Sequence, residues 1–328
     1  MSNRLTYSSI SESPAWTRLV LPCMLLVSAI ALLSIPDSRF LPLTNLTAIP
    51  SLTLICLILV ALSAGLNQQT LPEKAAEGTK ALATAIGGPL VLVCLSPYLA
   101  VFSFESLLGS GLMLAGWLFF LNGKNRSHVW LLASGLCGGL AVSLDPLTLS
   151  GLIPLALWNI LRISRGPNKQ ALPGLLWLLA LTVGFTPLFL STISIASPYF
   201  GSFILAPLPH SLGLVWQHLP IAACPFLLIG LLIAFLQKQP VVLGLFLGTF
   251  LLRLLLTGFR PFSAHSVDPG LLLPAIWVTA YGVLRVMRGI EQGIRNVNAS
   301  KAKRFPSLAT LICVLAFGAW ALNQHLNV

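Results

Sequence analysis

The sequence predicts an all-α integral membrane protein that crosses a lipid bilayer about eleven times. Of its 328 residues, 56% are hydrophobic and only 8% are charged, and the mean hydropathy is +0.90. A soluble protein needs a larger charged fraction to cover its surface. Apolar runs of about 17 to 25 residues recur along the chain, and each is long enough to cross the hydrocarbon core as a helix. These observations predict a cytoplasmic tail at residues 1–14 and a single transmembrane helical domain at residues 15–328, without a sizeable soluble domain.

Hydropathy places the predicted spans between polar or proline-containing breaks. The first predicted span stays in the mature protein, because no small-residue cleavage site follows it. The third is interrupted by Gly87-Gly88-Pro89 and by Ser96-Pro97, which predict a kink or a break. Residues 196–218 are rich in aromatic residues and proline and lack lysine and arginine, which predicts an interfacial or re-entrant segment. The eleven spans are predicted at residues 15–35, 47–66, 81–102, 105–121, 129–144, 147–163, 172–195, 219–236, 239–257, 270–287 and 306–325.

The basic residues between the spans predict an orientation. Cytoplasmic loops are enriched in lysine and arginine. With the N-terminus in the cytoplasm, Arg39 and Arg260 fall outside and Arg253 lies within a span, and the odd number of spans puts the C-terminus outside. The predicted location is therefore a bacterial cytoplasmic membrane. The other sixteen of the 19 lysines and arginines fall on the cytoplasmic side: Arg4, Arg18, Lys74, Lys80, Lys124, Arg126, Arg162, Arg165, Lys169, Lys238, Arg285, Arg288, Arg295, Lys301, Lys303 and Arg304.

The net charge of +11 does not predict a nucleic-acid partner, since the basic residues are spread over short loops. They are better explained as topology signals and as contacts to anionic membrane lipids. The densest group, from Arg285 to Arg304, predicts an amphipathic or loosely helical segment that lies on anionic lipid.

The sequence predicts neither a disulfide framework nor a metal site. All six cysteines lie in apolar runs without the C-x-x-C spacing of metal or redox sites, and are predicted to be small buried residues. No P-loop, G-x-S-x-G or H-E-x-x-H motif is present, and no cofactor is indicated. Pairs of small residues at helical spacing, such as Gly135 and Gly139, predict helices that approach closely in lipid.

Arg253 and Arg260 are the most informative charges of the chain. They are seven residues apart, two helical turns, so they project from one face of a helix. An arginine at the centre of a membrane helix costs roughly 2.5 to 3.5 kcal/mol. We therefore expect both to face the protein interior near the outer leaflet and to share an anionic partner, either a lipid phosphate or one of Asp37, Glu105 and Asp268. The alternative is that Arg260 reaches the lipid headgroups and Arg253 pairs with a neighbouring helix.

The outer edge of the predicted bundle also collects most groups capable of acid–base chemistry. Asp37, Glu105, Asp145 and Asp268 fall on this side, together with four of the five histidines. Such groups can serve catalysis. The first three of these acids also stand at helix ends, where capping of the helix explains them equally well.

Three stretches together resemble the GT-C membrane glycosyltransferases. Residues 104–162 contain an acidic residue that opens a span, a short basic loop, and a glycine-rich helix leading to a proline-containing turn. Residues 260–284, RPFSAHSVDPGLLLPAIWVTAYGVL, resemble the late outer loop of that family. Residues 34–40, SIPDSRF, stand where the family keeps its acidic first outer loop.

The resemblance implies transfer of a sugar from a polyprenyl-phosphate donor on the outer face of the membrane. Asp37 matches the general base that accepts the proton of the acceptor hydroxyl, and Glu105, with Asp268, would orient the sugar or the acceptor. Arg253 and Arg260, assisted by His265, would stabilise the phosphate leaving group. Asp37 and Glu105 are thus the expected catalytic residues, and Arg253, Arg260, His265 and Asp268 the expected substrate-binding residues.

Departures from the family pattern leave two other functions open. The first outer loop is short and has one aspartate beside Arg39, and Asp145 stands where the family commonly has a basic residue. The first alternative is a non-catalytic structural subunit of a membrane complex, with protein partners docked on an apolar face. The second is a transporter of a small solute or lipid, which lacks support from an inverted repeat.

Overall fold

A computed structural model describes residues 19–33, 48–71, 75–95, 104–123, 128–165, 171–187, 223–237, 239–257 and 269–326. These residues form eleven α-helices and no strand, which confirms the prediction of an all-α chain. The helices follow the eleven predicted spans one by one. They are α1 (Val20–Leu33), α2 (Ala48–Gln69), α3 (Glu77–Leu95), α4 (Phe104–Gly123), α5 (His128–Leu144), α6 (Leu149–Arg165), α7 (Ala171–Gly184), α8 (Cys224–Leu236), α9 (Pro240–Thr257), α10 (Pro269–Val297) and α11 (Ala299–Leu326).

Hydrogen bonds from side chains of α2 to backbone carbonyl groups of α3 show the relative direction of these two helices. The Ser63 hydroxyl donates to the Gly87 carbonyl oxygen at 2.9 Å, and the Asn67 amide donates to the Ala83 carbonyl oxygen at 2.9 Å. One turn forward along α2 thus corresponds to one turn back along α3, so the two helices are antiparallel.

Helix α10 lies at the centre of the bundle. Residues 271–282 are all buried, and α10 contacts α2, α3, α4, α8, α9 and α11. Trp277 packs against Trp117 of α4 with ring centroids 5.8 Å apart. A helix that is apolar around its whole circumference is expected to be buried on all sides, and the first half of α10 meets that condition.

Glycines set the closest helix approaches. A Cβ atom added at Gly139 of α5 would lie 2.5 Å from the Leu181 carbonyl oxygen of α7, and one at Gly135 would overlap the Trp177 carbonyl oxygen. The predicted packing role of Gly135 and Gly139 is therefore confirmed. A second close crossing, between α8 and α10, depends on Gly282, where a Cβ would overlap the Phe226 carbonyl oxygen.

The glycine pair and proline of the third predicted span do not break the helix. Helix α3 continues from Glu77 to Leu95 with Pro89 inside it. Gly87 and Gly88 lie against α2, since a Cβ at either position would come within 3.0 Å of α2 atoms. These glycines serve the α2–α3 contact, and the helix is not broken at Pro89. The other predicted interruption, Ser96-Pro97, lies outside the described residues.

The basic segment between the last two predicted spans is helical, as predicted. Helix α10 continues to Val297 and α11 begins at Ala299. The Asn298 side-chain oxygen accepts hydrogen bonds from the backbone N–H groups of Ser300 and Lys301, at 3.1 and 3.2 Å. This cap starts α11 immediately after α10 ends.

By length and composition, three helices of the described part of the chain could cross a membrane: Glu77–Leu95, Pro269–Val297 and Ser300–Asn323. In the apolar windows of the first two, 83% and 72% of the residues are buried, against 28% in the third. The first two therefore form the interior of the bundle, while α11 faces outward. Its outer face is apolar and includes Leu308, Leu311, Ile312 and Leu315.

Candidate functional site

A buried ion pair joins α9 to the segment that follows α5. The Arg253 Nη2 atom donates to the Asp145 Oδ2 atom at 2.8 Å. Arg253 is 0% exposed, and Asp145 is also buried. The carboxylate lies within direct reach of the guanidinium, and this satisfies the requirement that a charge in an apolar interior be paired.

Local backbone structure holds Asp145 in place. Asp145 is the N-cap of a 3-10 turn, Pro146–Thr148, and its Oδ1 atom accepts from the Leu147 backbone N–H at 3.1 Å. The Ser106 hydroxyl of α4 donates to Oδ2 at 3.2 Å. With Arg253, the carboxylate thus accepts hydrogen bonds from three groups on three different segments. Capping and charge pairing, the two roles open to an acid at a helix end, are combined in this residue.

Gly270, near the N-terminus of α10, makes room for the arginine. A Cβ at this position would lie 2.6 Å from Arg253 Cζ, so a larger residue would displace the guanidinium. The arginine therefore lies against the first turn of α10, which carries a positive partial charge. The Asp145 carboxylate offsets the repulsion expected there.

A cavity of about 20 Å³ adjoins the ion pair. Helices α4, α6, α9 and α10 contribute to its walls, and the buried Ser110 and Thr249 hydroxyls line it. Neither hydroxyl has a hydrogen-bond partner within the described ranges. The accessible surface of this cavity is almost entirely apolar, and its volume is about that of one water molecule. It is too small for a sugar or a phosphate.

Glu105 lies at the same end of the bundle as the ion pair. It is in the first turn of α4 and is exposed, and it directly precedes Ser106, which contacts Asp145. This end is also where α9 finishes and α10 begins, since Arg253 near the end of α9 packs on Gly270 of α10. An exposed acid thus stands next to a buried, charge-neutral pair.

The structure brings two of the predicted site residues, Glu105 and Arg253, to one end of the bundle. It also adds Asp145, which the sequence does not predict as the partner of Arg253. The sequence did contain a clue to this pairing. Asp145 is an acid at the end of a predicted span, and the span that contains Arg253 ends on the same predicted side of the membrane. The remaining predicted site residues lie outside the described ranges: Asp37, Arg260, His265 and Asp268.

Within the described ranges, no group of three histidine, cysteine, aspartate or glutamate side chains could hold a metal ion. The site is thus defined by an ion pair, hydroxyl groups and one exposed carboxylate at the end of an all-helical bundle. In comparisons with known proteins, no family model, no curated protein and no solved structure matches this chain.

Proposed function

We propose that this chain is a multi-span integral protein of a bacterial cytoplasmic membrane, with GT-C-like architecture. The apolar composition and the outward apolar surface support the placement in a membrane. Leucines such as Leu179, Leu232 and Leu315 are exposed on three different helices. In water such a surface would be unfavourable, whereas lipid chains would cover it without loss of hydrogen bonds.

The proposed activity is transfer of a sugar from a polyprenyl-phosphate donor to an acceptor hydroxyl on the outer face of the membrane. The observation that supports it most is the exposed Glu105 carboxylate beside the Ser106–Asp145–Arg253 hydrogen-bond chain. Hydrogen bonds to sugar hydroxyls are a typical task of carboxylates in glycosyl chemistry. In this proposal Glu105 orients the sugar or the acceptor, while the buried pair fixes the ends of α4, α5 and α9 around it.

In the proposed reaction, one bond to the anomeric carbon of the sugar forms and one breaks. The acceptor oxygen bonds to the anomeric carbon, the bond from that carbon to the phosphate oxygen breaks, and its electron pair stays on the phosphate. The proton of the acceptor hydroxyl goes to a carboxylate, for which the family resemblance indicates Asp37. Positive charge from Arg260 and His265 would stabilise the released phosphate.

A direct test measures transfer of label from radiolabelled polyprenyl-phosphate sugars by the purified protein. We expect Glu105→Gln to slow transfer by at least about tenfold, since a charge-assisted hydrogen bond contributes about 1.5 to 3 kcal/mol. Glu77→Gln is the matched control, because Glu77 is also exposed in the first turn of a helix and lies at the opposite end of the bundle. An unmodified protein that neither binds nor consumes any of the offered donors would contradict the proposal.

A non-catalytic subunit of a membrane complex is the second candidate. It is favoured by the pairing of Arg253 with Asp145, because a guanidinium already engaged with a carboxylate is less available to a phosphate. The apolar outer face of α11 would then dock a partner. Cross-linking from α11 in native membranes, followed by identification of the linked protein, distinguishes this function from the first.

A further inference from the structure

The second half of α10 carries arginines that sugar transfer does not use. At a rise of 1.5 Å per residue, Arg285 and Arg288 lie about 24 and 29 Å along the helix axis from Pro269. The hydrocarbon core of a bilayer is about 30 Å thick. If Pro269 lies near one edge of the hydrocarbon, Arg288 therefore lies at the depth of the opposite lipid headgroups. Arg285 lies about 6 Å inside that edge, a distance that its long side chain can span.

Helix α10 leaves the bundle at this point. The helix is buried up to Leu284, and its later residues are half-buried or exposed. A Cβ added at Gly289 or Gly293 would meet no atom within 4 Å in the described part of the chain. The surface of this half of the helix is thus open to a ligand.

The emerging half of α10 is amphipathic. Ile290 and Val297, two turns apart, are 45% and 90% exposed. Arg288 and Arg295, also two turns apart, lie on a different face. The emerging half of the helix thus presents its basic side chains on a face separate from its exposed apolar residues.

Arg285 is held in one position. Its Nη2 atom donates to the Thr70 carbonyl oxygen at 3.3 Å, and its guanidinium lies over the Tyr281 ring, 4.9 Å from the ring centroid. In the described part of the chain this is the hydrogen bond that Arg285 makes, so further N–H donors remain for a ligand. A guanidinium fixed in this way loses little conformational freedom when it binds an anion.

The charges around Arg288 favour an additional anion. Arg288 is partly buried, and the positive charges of Arg285 and Arg295 repel it, while Glu291 attracts it. Glu291 also accepts a hydrogen bond from Arg295 at 3.2 Å, so its negative charge is shared. The cluster therefore keeps an excess of positive charge, which a phosphate group would neutralise through charge-assisted hydrogen bonds.

We propose that Arg285 and Arg288 bind a phosphate group, that of an anionic lipid headgroup in the leaflet opposite the Asp145–Arg253 end. This site rests on the proposed placement in a membrane and is independent of sugar transfer. Its ligand is recognised by the phosphate and the negative charge.

The test measures binding of phosphatidylglycerol and phosphatidylcholine to the full-length protein in a mild detergent by native mass spectrometry. We expect Arg285→Gln and Arg288→Gln each to weaken phosphatidylglycerol binding by at least about fivefold, since an arginine near an anionic surface contributes about 1 kcal/mol. Arg295→Gln removes the same charge from a side chain that is 64% exposed and paired with Glu291. This control should change binding by less than about twofold, and phosphatidylcholine should bind weakly to all variants.

Equal losses in all three variants would show diffuse attraction and would overturn the site, as would unchanged binding in all three. Inorganic phosphate is added alone in a parallel experiment. If inorganic phosphate binds as tightly as the lipid and with the same dependence on Arg285 and Arg288, the ligand of the site is free phosphate. The assignment to a lipid headgroup is then overturned. Equal melting temperatures of the variants exclude misfolding. If alkaline washing strips the protein from cell membranes, the membrane placement itself fails, whatever the detergent experiment shows.

Discussion

Asp145 and Arg253 show how an apolar bundle accommodates a buried charge. The guanidinium is fully buried, and the carboxylate accepts from the Leu147 backbone N–H and the Ser106 hydroxyl as well as from the arginine. Loss of either charge would leave the other unneutralised in a medium of low dielectric constant. The two residues therefore act as one unit, and their energetic coupling can be measured.

The losses of stability caused by replacing Asp145 and Arg253 should not be additive. We expect Asp145→Asn and Arg253→Met each to lower the free energy of unfolding by about 3 to 5 kcal/mol. The double variant should lose less than the sum, by about 1 kcal/mol or more. Thermal or denaturant unfolding in one detergent gives the three values.

The exposed pair of Glu291 and Arg295 is the matched control for this cycle. It is also a carboxylate–arginine contact, at 3.2 Å, but the Arg295 side chain is 64% exposed. Replacement of either member should change stability by about 0 to 1 kcal/mol. Strictly additive losses for Asp145 and Arg253 would show that their contact contributes nothing beyond the separate residues.

The sequence predicts part of this site. The two-turn spacing of the arginines and the free-energy cost of an arginine in hydrocarbon predict an interior Arg253 with an anionic partner, and a carboxylate partner is confirmed. Asp145 is not among the three acids that the sequence analysis names. It lies 108 positions away in the sequence, and only the packing of α5 against the rest of the bundle brings it close. Its position before Pro146 already explained it as a helix cap, so the sequence left its charge without an assigned partner.

At the scale of helices, glycine determines which pairs approach closely. Where α8 and α10 cross, their backbones are in contact at Gly230 and Gly282. A Cβ added at Gly230 would lie 2.5 Å from the Val278 carbonyl oxygen. Without a hydrophobic force between helices in lipid, such close packing is a main source of their association. A single methyl group should therefore disturb this crossing.

Gly282→Ala should lower stability, whereas Gly289→Ala should not. The new Cβ at position 282 would overlap the Phe226 carbonyl oxygen, so α8 and α10 must separate, at a cost of about 1 to 3 kcal/mol. The same change two turns along α10, at Gly289, meets open space and should be neutral or stabilising by up to about 1 kcal/mol. The midpoint of thermal unfolding in detergent compares the two variants. Similar midpoints would show that α8 and α10 can move apart at little cost.

The existence of each helix could be predicted from hydropathy, but the helix ends could not. Hydropathy marks the residues that suit lipid, whereas a helix ends where its backbone is capped. The polar residues after position 287 therefore continue α10 to Val297, where Asn298 caps the start of α11. Gly87, Gly88 and Pro89 likewise predict a break, but packing against α2 keeps α3 continuous.

At the scale of the whole molecule, the bundle separates two sets of charges. Asp145 and Arg253 lie where α5 and α9 end and α10 begins. Arg285 lies toward the other end, where it contacts Thr70 just after the end of α2. The proposed sugar-transfer site and the proposed lipid-phosphate site are thus at opposite ends of the bundle. In the proposed membrane placement, the orientation of the chain decides which compartment each one faces.

The orientation can be measured with single cysteines at Ala264 and Lys301 in a chain whose six native cysteines are replaced. The excess of lysine and arginine on one side predicts that Lys301 is cytoplasmic and that Ala264, between α9 and α10, is outside. A membrane-impermeant maleimide added to intact cells should therefore modify Ala264→Cys at once, and Lys301→Cys only after the membrane is permeabilised. The cysteine-free parent shows the background, and detergent-solubilised samples show that both positions can react. The reverse pattern would place the Asp145–Arg253 end in the cytoplasm, and a donor on the outer face could then not reach Glu105.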